Sequence, residues 1–349
     1  MRSLPPLVLA FCLSLICCAE PLAAEPLRVA SFNTELSRKG PGLLLRDLQR
    51  GEDPQVAAIL YTLHVANADI LVLQGIDWDF DGRAVSAFAS QLAKTMAPYQ
   101  HIYAPQPNTG VQTGLDMDGD GRFGSARDAQ GYGDFTGRDG MAILSRYPIL
   151  RAEARNLSDL LWRDLPGAIL PTNSDGSPFP SAAAQSAQRL SSTGHWVVPI
   201  MLPDGTRLSI LAFQATPPLF DGPEDRNGLR NRDEIRLWQV LLDGELGPAP
   251  TLPWIIAGGA NLDPARGAGL RQAIIDLLTD PRLQDPKPRD FDGHLATVDW
   301  GNSRRMRVDY LLPSDGVSVQ QSGVLWPESI TEGNRPASRH ALVWVDLEF

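Results

Sequence analysis

Short apolar runs, each ending in a polar residue, recur along the chain and predict β-strands. The segment from Leu27 to Thr34 alternates apolar and polar residues, as a half-buried strand does. The segment from Ile70 to Gln74 has four consecutive apolar residues and then a glutamine before Gly75, which predicts a buried strand. Further strands are predicted at 101–103, 140–148, 307–312 and 341–348, with a hairpin formed by 196–202 and 208–213.

Apolar residues at helical spacing lie between these strands. They predict helices over 54–66, 85–96, 233–242 and 270–278. The Gly- and Asp-rich stretch 105–139 is predicted to be a loop, and the proline-rich stretch 151–192 receives no assignment. No internal repeat or linker divides the chain, so residues 25–349 are predicted to form one α/β domain.

The amino terminus has the layout of a secretory signal peptide. Arg2 supplies a positive charge, an apolar run extends from Leu4 to Cys18, and small residues precede Glu25. Residues 1–24 are therefore predicted to be a cleaved leader, with a membrane anchor as the alternative, and the protein to be periplasmic or secreted. All three cysteines lie in this leader, which excludes disulfides, thiol catalysis and thiolate zinc sites from residues 25–349.

Composition and charge narrow the choice of partner. The chain is 43% hydrophobic and 21% charged, as in a globular protein, and its formal net charge is −10. Such a charge argues against a protein that coats nucleic acid. It does not exclude an enzyme that contacts a few phosphates of nucleic acid, although the sequence has no basic patch. No later stretch is long and apolar enough to predict a transmembrane segment, and we expect a monomer.

Six short motifs occur in an order that carries information about the fold. They are Ser31-Phe32-Asn33, Leu73-Gln74, Gly140 to Pro148, Asn261, Arg307 to Tyr310 and Ser338 to His340. In this order the chain resembles the endonuclease/exonuclease/phosphatase superfamily, whose fold is DNase I-like. The resemblance implies an α/β fold, namely a four-layer sandwich of two packed mixed β-sheets flanked by helices.

The resemblance also implies a chemistry, the hydrolysis of a phosphoester. In the family, carboxylates hold a divalent ion, Mg²⁺ or Mn²⁺, against the phosphoryl oxygens. His340 matches the family's final histidine and Asp309 the aspartate that orients it, which implies an acid/base pair. Asn33 and Asn261 match two asparagines that face the phosphate or its metal. These four are the candidate catalytic residues.

Four positions depart from the family pattern. Gly75 stands where the family has its metal-binding glutamate, and Gly259 where it has an aspartate that helps to activate water. Arg339 replaces an aspartate beside the final histidine, and Gln214 stands in place of another histidine. Because guanidinium and amide groups can contact phosphate, Arg339 and Gln214 are predicted to bind it; an ordinary exposed arginine is the alternative at 339.

These departures leave two functions open, a phosphoester hydrolase of the phosphodiesterase or nuclease type and a non-catalytic protein that binds a ligand in the same cleft. One residue could restore a metal site. If the strand through Gln74 continued, Asp77 would project to the same face as residue 75 and hold the ion. The alternative is a solvated acidic loop over residues 76–81.

A separate signal lies in the Gly- and Asp-rich loop. Asp116, Asp118 and Asp120 occupy alternate positions before Gly121, which matches the opening of an EF-hand calcium loop. The twelfth position is Arg127, which cannot act as the usual bidentate ligand. The loop over 116–121 is predicted to bind a structural Ca²⁺, with an acidic surface loop as the alternative and a calcium-stabilised structural domain as a third reading of the whole chain.

Overall fold

A computed structural model describes residues 26–302, 304–330 and 335–349. The predicted leader of residues 1–24 lies outside these ranges. The described strands are β1 (Leu27–Leu36), β2 (Ile70–Ile76), β3 (His101–Tyr103), β4 (Gly140–Ser145), β5 (Arg155–Asn156), β6 (Gly194–Met201), β7 (Arg207–Gln214), β8 (Trp254–Gly259), β9 (Val298–Asp299), β10 (Arg305–Met306), β11 (Asp309–Pro313), β12 (Ser318–Leu325), β13 (Ser329–Ile330), β14 (Arg335–Pro336) and β15 (Leu342–Glu348).

The helices lie between the strands, as the sequence pattern predicted. They are α1 (Leu43–Arg50), α2 (Pro54–Ala66), α3 (Arg83–Leu92), α4 (Ala182–Ala187), α5 (Arg226–Leu242) and α6 (Gln272–Leu278), with short 3₁₀ turns at Ala126–Asp128, Arg151–Glu153 and Trp162–Asp164. Helix α2 begins at a proline, whose missing N–H is not needed in a first turn, and the Asp53 side chain caps the amide of Val56. None of the helices in the described part of the chain has the length and apolar character of a membrane-spanning segment.

Two mixed sheets form the centre of the molecule. The first has six strands in the order β12, β15, β1, β2, β4, β3, and the second has five in the order β11, β8, β7, β6, β5. Strands β1 and β2 are parallel, as are β7 and β8, whereas β15 runs antiparallel to β1 and β11 antiparallel to β8. One end of the molecule therefore collects the carboxyl ends of four strands and the amino ends of β11 and β15.

Successive side chains along each strand of the first sheet point to opposite faces, so the two faces pack against different layers. Val29 and Val72 point into an apolar layer shared with the second sheet, where they pack with Ile210 and Ala257. Phe32 faces the opposite side and packs with helices α1 to α3. Helices α5 and α6 cover the outer face of the second sheet in a third cluster. The layers are helix, sheet, sheet, helix, which confirms the predicted four-layer sandwich.

Several element bounds differ from the predictions. Helix α5 begins at Arg226 rather than at residue 233, and the helix predicted over 85–96 spans Arg83–Leu92. The unassigned stretch 151–192 contains α4, β5 and two 3₁₀ turns. Helix α1 and strand β12 were not predicted at all. Six of the eight residues of β12 are exposed or partly exposed, so its sequence lacks a clear apolar pattern.

Candidate functional site

Residues from both sheets meet in one cleft at the end where the strands converge. Asn33 of β1 pairs with Gln74 of β2, and Gln214 of β7 pairs with Gly259 of β8. The cleft has a volume of about 260 Å³. It is lined by residues that include Asn33, Glu35, Gly75, Asp139, Gln214, Asn261, Trp300, Arg339 and His340.

The predicted pair of His340 and Asp309 is in direct contact. Nδ1 of His340 lies 2.8 Å from Oδ2 of Asp309, and both side chains are buried. The second ring nitrogen, Nε2, has no hydrogen-bond partner among the described residues, and the edge of the ring lies against Trp300 with centroids 5.5 Å apart. An imidazole held through Nδ1 presents Nε2 to whatever enters the cleft.

Thr297 holds the aspartate in place. Its hydroxyl donates to Oδ2 of Asp309 at 2.9 Å and accepts from the backbone amides of Val308 and Asp309, each at 3.0 Å. The other oxygen of Asp309, Oδ1, is buried without a partner among the described residues. Thr297 was not predicted as a site residue, because nothing in its local sequence marks it; its role arises from tertiary contacts.

The environment of His340 favours its charged form. Burial alone would lower the pKa of this histidine, but the charge and hydrogen bond of Asp309 outweigh that effect. Glu35 adds to the increase and Arg339 opposes it, so that the pKa of His340 is raised above its ordinary value. A histidine with a raised pKa beside a fixed carboxylate is suited to accepting a proton.

Arg339 is fixed at the rim of the cleft by Glu35, a residue that the sequence did not single out. Its Nε donates to Oε1 of Glu35 at 2.8 Å, its Nη2 also contacts Oε1, and its backbone amide donates to Oε2 at 2.7 Å. The guanidinium carbon lies 4.7 Å from the ring centre of Trp300. Burial would raise the pKa of Glu35, but its hydrogen bonds with Arg339 lower it. Nη1 of Arg339 has no partner among the described residues.

Both predicted asparagines line the cleft. Oδ1 of Asn33 accepts a hydrogen bond from the amide of Glu35 at 3.3 Å, and its Nδ2 has no partner in the described chain. Asn261 has φ of 51° and donates from Nδ2 to the carbonyl of Ala215 at 2.8 Å. A left-handed non-glycine backbone is uncommon and is tolerated best by Asn and Asp. The local backbone thus turns Asn261 into the cleft.

Two of the departures from the family pattern are sterically linked to their neighbours. Gly75 has φ of +66°, and a Cβ there would lie 2.4 Å from Oδ1 of Asn33. A Cβ at Gly259 would lie 2.2 Å from Oε1 of Gln214. Side chains at positions 75 and 259 are therefore incompatible with Asn33 and Gln214 as they stand. Gln214 lines the cleft, and its Oε1 is buried without a partner among the described residues.

Asp77 does not lie where strand alternation would place it. Strand β2 ends at Ile76, and its pairing with both neighbours shifts between Gln74 and Ile76, so the alternation assumed for residue 77 is broken. The Asp77 carboxylate accepts from the backbone amides of Arg38 at 2.8 Å and Asp139 at 3.2 Å. Burial raises its pKa to about 6 despite these bonds. Asp77 is not among the described residues that line the cleft.

The predicted calcium-loop aspartates do converge. Oxygens of Asp116, Asp118 and Asp120 lie within 4.8 Å of one another. Asp116 accepts from the amides of Gly119 at 2.6 Å and Gly121 at 2.9 Å, which folds the loop around its carboxylate. Asp128, one residue past the twelfth position, is buried, but its oxygens accept from the amides of Met117 and Ser125.

The comparison with known families agrees with this arrangement. Residues 30–340 match the Endonuclease/Exonuclease/phosphatase family. The chain belongs to this family. No curated protein matches the sequence.

Solved structures of the family share the fold at low sequence identity. An endonuclease/exonuclease/phosphatase from Beutenbergia cavernae is 17% identical, with a TM-score of 0.54 over 93% of this chain and 72% of that one. Sphingomyelinase C from Streptomyces griseocarneus is also 17% identical, with a TM-score of 0.52 over 93% and 99% of the two chains. The mannosyl-6-phosphatase Bt3783 of Bacteroides thetaiotaomicron is 16% identical, with a TM-score of 0.52 over 93% and 100%.

Members of this family commonly use divalent metals. The question for this cleft is whether its side chains offer the oxygen ligands that such an ion needs. The carboxylates among its described lining residues are those of Glu35 and Asp139. Both oxygens of Glu35 are taken by Arg339, whose positive charge occupies the space beside them. The carboxylate of Asp139 is paired with Arg138, with Oδ2 lying 3.4 Å from Nε. Gly75 supplies no carboxylate. The described side chains therefore do not fit a magnesium or manganese ion held chiefly by carboxylates.

Proposed function

We propose that this protein is a phosphoester hydrolase of the phosphodiesterase or nuclease type that acts through its His340–Asp309 pair in the periplasm or outside the cell. The observation that carries the proposal is the 2.8 Å contact between Nδ1 of His340 and Asp309, which leaves Nε2 for the reacting groups. Similar folds in a sphingomyelinase and a mannosyl-6-phosphatase support a phosphoester as the substrate class.

In this proposal, His340 takes a proton from the water that attacks the phosphorus. The phosphorus–oxygen bond to the leaving group breaks as the new bond forms, and the leaving oxygen takes its proton from solvent. The aspartate that the family pattern places at position 259 is absent, and Glu35 is held by Arg339 with a lowered pKa. His340 has a raised pKa and an unpartnered Nε2. It is therefore better suited to act as the base than Glu35 or the residue at position 259. Asp309 stabilises the imidazolium that forms when the proton is accepted.

Arg339 supplies positive charge to the phosphoryl oxygens. Its guanidinium is fixed by Glu35 on one side and Trp300 on another, so it reaches a phosphate with little loss of side-chain entropy. Asn33 and Asn261 contact the same group through their amides, and Gln214 contributes its amide from β7. No step of the reaction is assigned to a metal ion, because the described donor atoms do not fit one.

A second candidate function is favoured by the Glu35–Arg339 ion pair. The pair partly cancels the positive charge that a transferring phosphoryl group requires, and the family's carboxylates are missing at 75 and 259. A cleft of this kind binds a phosphorylated ligand without hydrolysing it. Turnover distinguishes the two candidates.

The test is hydrolysis of bis(p-nitrophenyl) phosphate by the protein and two variants, with EDTA, magnesium, manganese or calcium added in turn. We expect turnover by the wild type and a loss of about 10²- to 10⁴-fold in His340→Ala, since a general base contributes that much. Arg339→Gln, which loses the charge but keeps a donor, is expected to lower kcat/KM by about tenfold.

The control is His64→Ala, because His64 is exposed on α2 and does not line the cleft. Unchanged turnover in His340→Ala would contradict the proposed base. No turnover by folded wild-type protein under any metal condition, together with measurable binding of a phosphate ester, would establish the binding function instead.

We also propose that the loop formed by Asp116, Asp118 and Asp120 binds calcium. The convergence of three carboxylates within 4.8 Å supports it, because hard cations with oxygen ligands require such a cluster. The ion would hold the loop in its folded form and take no part in the reaction.

A further inference from the structure

A second cavity adjoins the cleft and shares part of its wall. Its volume is about 420 Å³, and Tyr132, Thr216 and Pro217 line both spaces. The remaining wall has two parts, an apolar part that includes Leu219 and Phe220 and a cationic part made of arginines. A molecule bound at His340 can therefore extend past Tyr132 into this side cavity.

The cationic part consists of Arg127, Arg226 and Arg230. Arg230 is only 6% exposed, and its guanidinium donates to the carbonyls of four residues: Gln130, Arg189, Leu190 and Ser191. Within the described residues, no carboxylate oxygen lies within 4.0 Å of it. Burial lowers its pKa to about 10, against the opposing charge of Glu234. The bonds to backbone carbonyls hold a positive charge in place without neutralising it.

The nearest acidic group on the same helix does not neutralise Arg230. Glu234 uses one carboxylate oxygen to accept from the amide and hydroxyl of Ser192, at 2.6 and 2.7 Å, and the other to accept from the amide of Thr216 at 2.6 Å. The carboxylate of Glu234 thus accepts its hydrogen bonds from Ser192 and Thr216 and makes none with Arg230. The described residues that line the cavity include three arginines and no carboxylate, in a protein whose formal charge is −10.

Arg226 is in a similar position. It is half-buried, donates to the carbonyl of Met117, and has no carboxylate within ion-pair distance in the described chain. Burial lowers its pKa, and the carboxylates of Asp118 and Glu224 oppose this from a longer range. Arg127 is exposed and lies 3.9 Å from Asp118. Partly buried guanidinium groups without an anionic partner are costly to maintain and are the groups that bind phosphate most readily.

The apolar part of the wall includes an exposed aromatic side chain. Phe220 is 73% exposed and has φ of 71°, a conformation that is strained for a bulky residue and costs on the order of 1–3 kcal/mol. Tyr132, 60% exposed, lines both the side cavity and the cleft. Exposed aromatic rings and arginines in the lining of one cavity suit a ligand that carries an anion together with an apolar or aromatic group.

We propose that the side cavity binds a second phosphate group of the substrate, so that the substrate is a small phosphoester that carries two phosphates and an apolar or aromatic group. This inference rests on the proposed function for the position of the reacting phosphoester. The side cavity itself, as an anion site, stands independently of turnover. Its limited volume and the negative charge of the whole protein favour a ligand of nucleotide size over a long polyanion.

Binding is tested with inorganic pyrophosphate in metal-free buffer, titrated calorimetrically into wild type, Arg226→Gln and His340→Ala. We expect a site in the side cavity whose Kd is about tenfold weaker in Arg226→Gln, since a charge-assisted hydrogen bond is lost, and unchanged in His340→Ala. Arg122→Gln is the matched control, because Arg122 is exposed in the same region but does not line the cavity. Arg127→Gln, at an exposed position, repeats the test should Arg226→Gln fail to fold.

Specificity is tested with the p-nitrophenyl ester of thymidine 5′-phosphate, with and without a 3′-phosphate. The wild type is expected to prefer the bisphosphate by about tenfold in kcat/KM, and Arg226→Gln to lose this preference without losing activity on the monophosphate. Equal rates for both compounds in the wild type would overturn the substrate assignment. Pyrophosphate binding that disappears in His340→Ala but persists in Arg226→Gln would overturn the anion site. Arg226-dependent binding without turnover would keep the site and reject the proposed hydrolysis.

Discussion

At the cleft, glycines and their neighbours form matched pairs. Gly75 lies against Asn33 and Gly259 against Gln214, and in each pair the space for a Cβ is filled by a side-chain oxygen. A Cβ added at either glycine would displace that oxygen from its present position. The present positions of Asn33 and Gln214 therefore match glycine at 75 and 259.

We predict that Gly75→Ala destabilises the protein more than Gly82→Ala does. Both glycines have left-handed φ angles, +66° and +64°, so the backbone strain is similar. At Gly75 the new Cβ would also meet Oδ1 of Asn33 at 2.4 Å, whereas at Gly82 the nearest atom, Cγ1 of Val85, is 3.8 Å away. The expected excess is about 1–3 kcal/mol in the free energy of unfolding by urea. Equal losses would show that Asn33 is not fixed beside Gly75.

The catalytic residues that could be predicted from the sequence are those that lie in recognisable motifs. Asn33, Asn261, Asp309 and His340 stand in strand-end motifs, and the structure brings all four to one cleft or into contact with its lining. Glu35 could not be singled out in this way. Its importance depends on Arg339, which lies 304 positions along the chain and reaches it only in the folded state.

At the level of elements, long periodic segments were predictable and weakly patterned ones were not. Helix α2 lies exactly where its apolar spacing placed it, over Pro54–Ala66. Helix α1 is short, and strand β12 is largely exposed along its first half, so neither has a strong apolar period. The bulge at Gly75 was also invisible in the sequence, and it redirected Asp77 to two backbone amides.

The aspartate loop gives a prediction at this level. Calcium at about 100 times its Kd is expected to raise the melting temperature by roughly 5 °C, through preferential binding to the folded state. Asp118→Asn should remove most of the increase, since it deletes one of the three converging carboxylate charges. The measurement is thermal unfolding with calcium or EDTA.

Asp175→Asn is the control for the loop, because Asp175 is exposed and belongs to a different turn. A calcium-dependent increase that is the same in Asp118→Asn and in wild type would place the ion elsewhere. The absence of any increase in wild type would leave the cluster as an acidic surface loop.

In the whole molecule, the cleft and the side cavity bring together arginines that are far apart in the sequence. The formal charge is −10, yet Arg339 lies at the cleft and three arginines line the adjoining side cavity. The two-sheet architecture brings together the segments that precede β4 and β15 and the first turns of α5, which follows β7. The sequence predicted the sandwich through the order of its motifs, but it did not predict the side cavity, whose wall comes from four separate segments of the chain.

The most direct test of the account is the pH dependence of kcat/KM for phosphodiester hydrolysis in wild type and Asp309→Asn. A base must be neutral to accept a proton, so the rate should rise with pH through the pKa of His340, which lies above the ordinary value of about 6.5. Without the charge of Asp309, burial dominates and lowers that pKa. The rising limb should then move to lower pH, and the plateau should fall by about 10²-fold or more. A limb and plateau that are unchanged in Asp309→Asn, or no turnover by folded wild-type protein at any pH, would contradict the account.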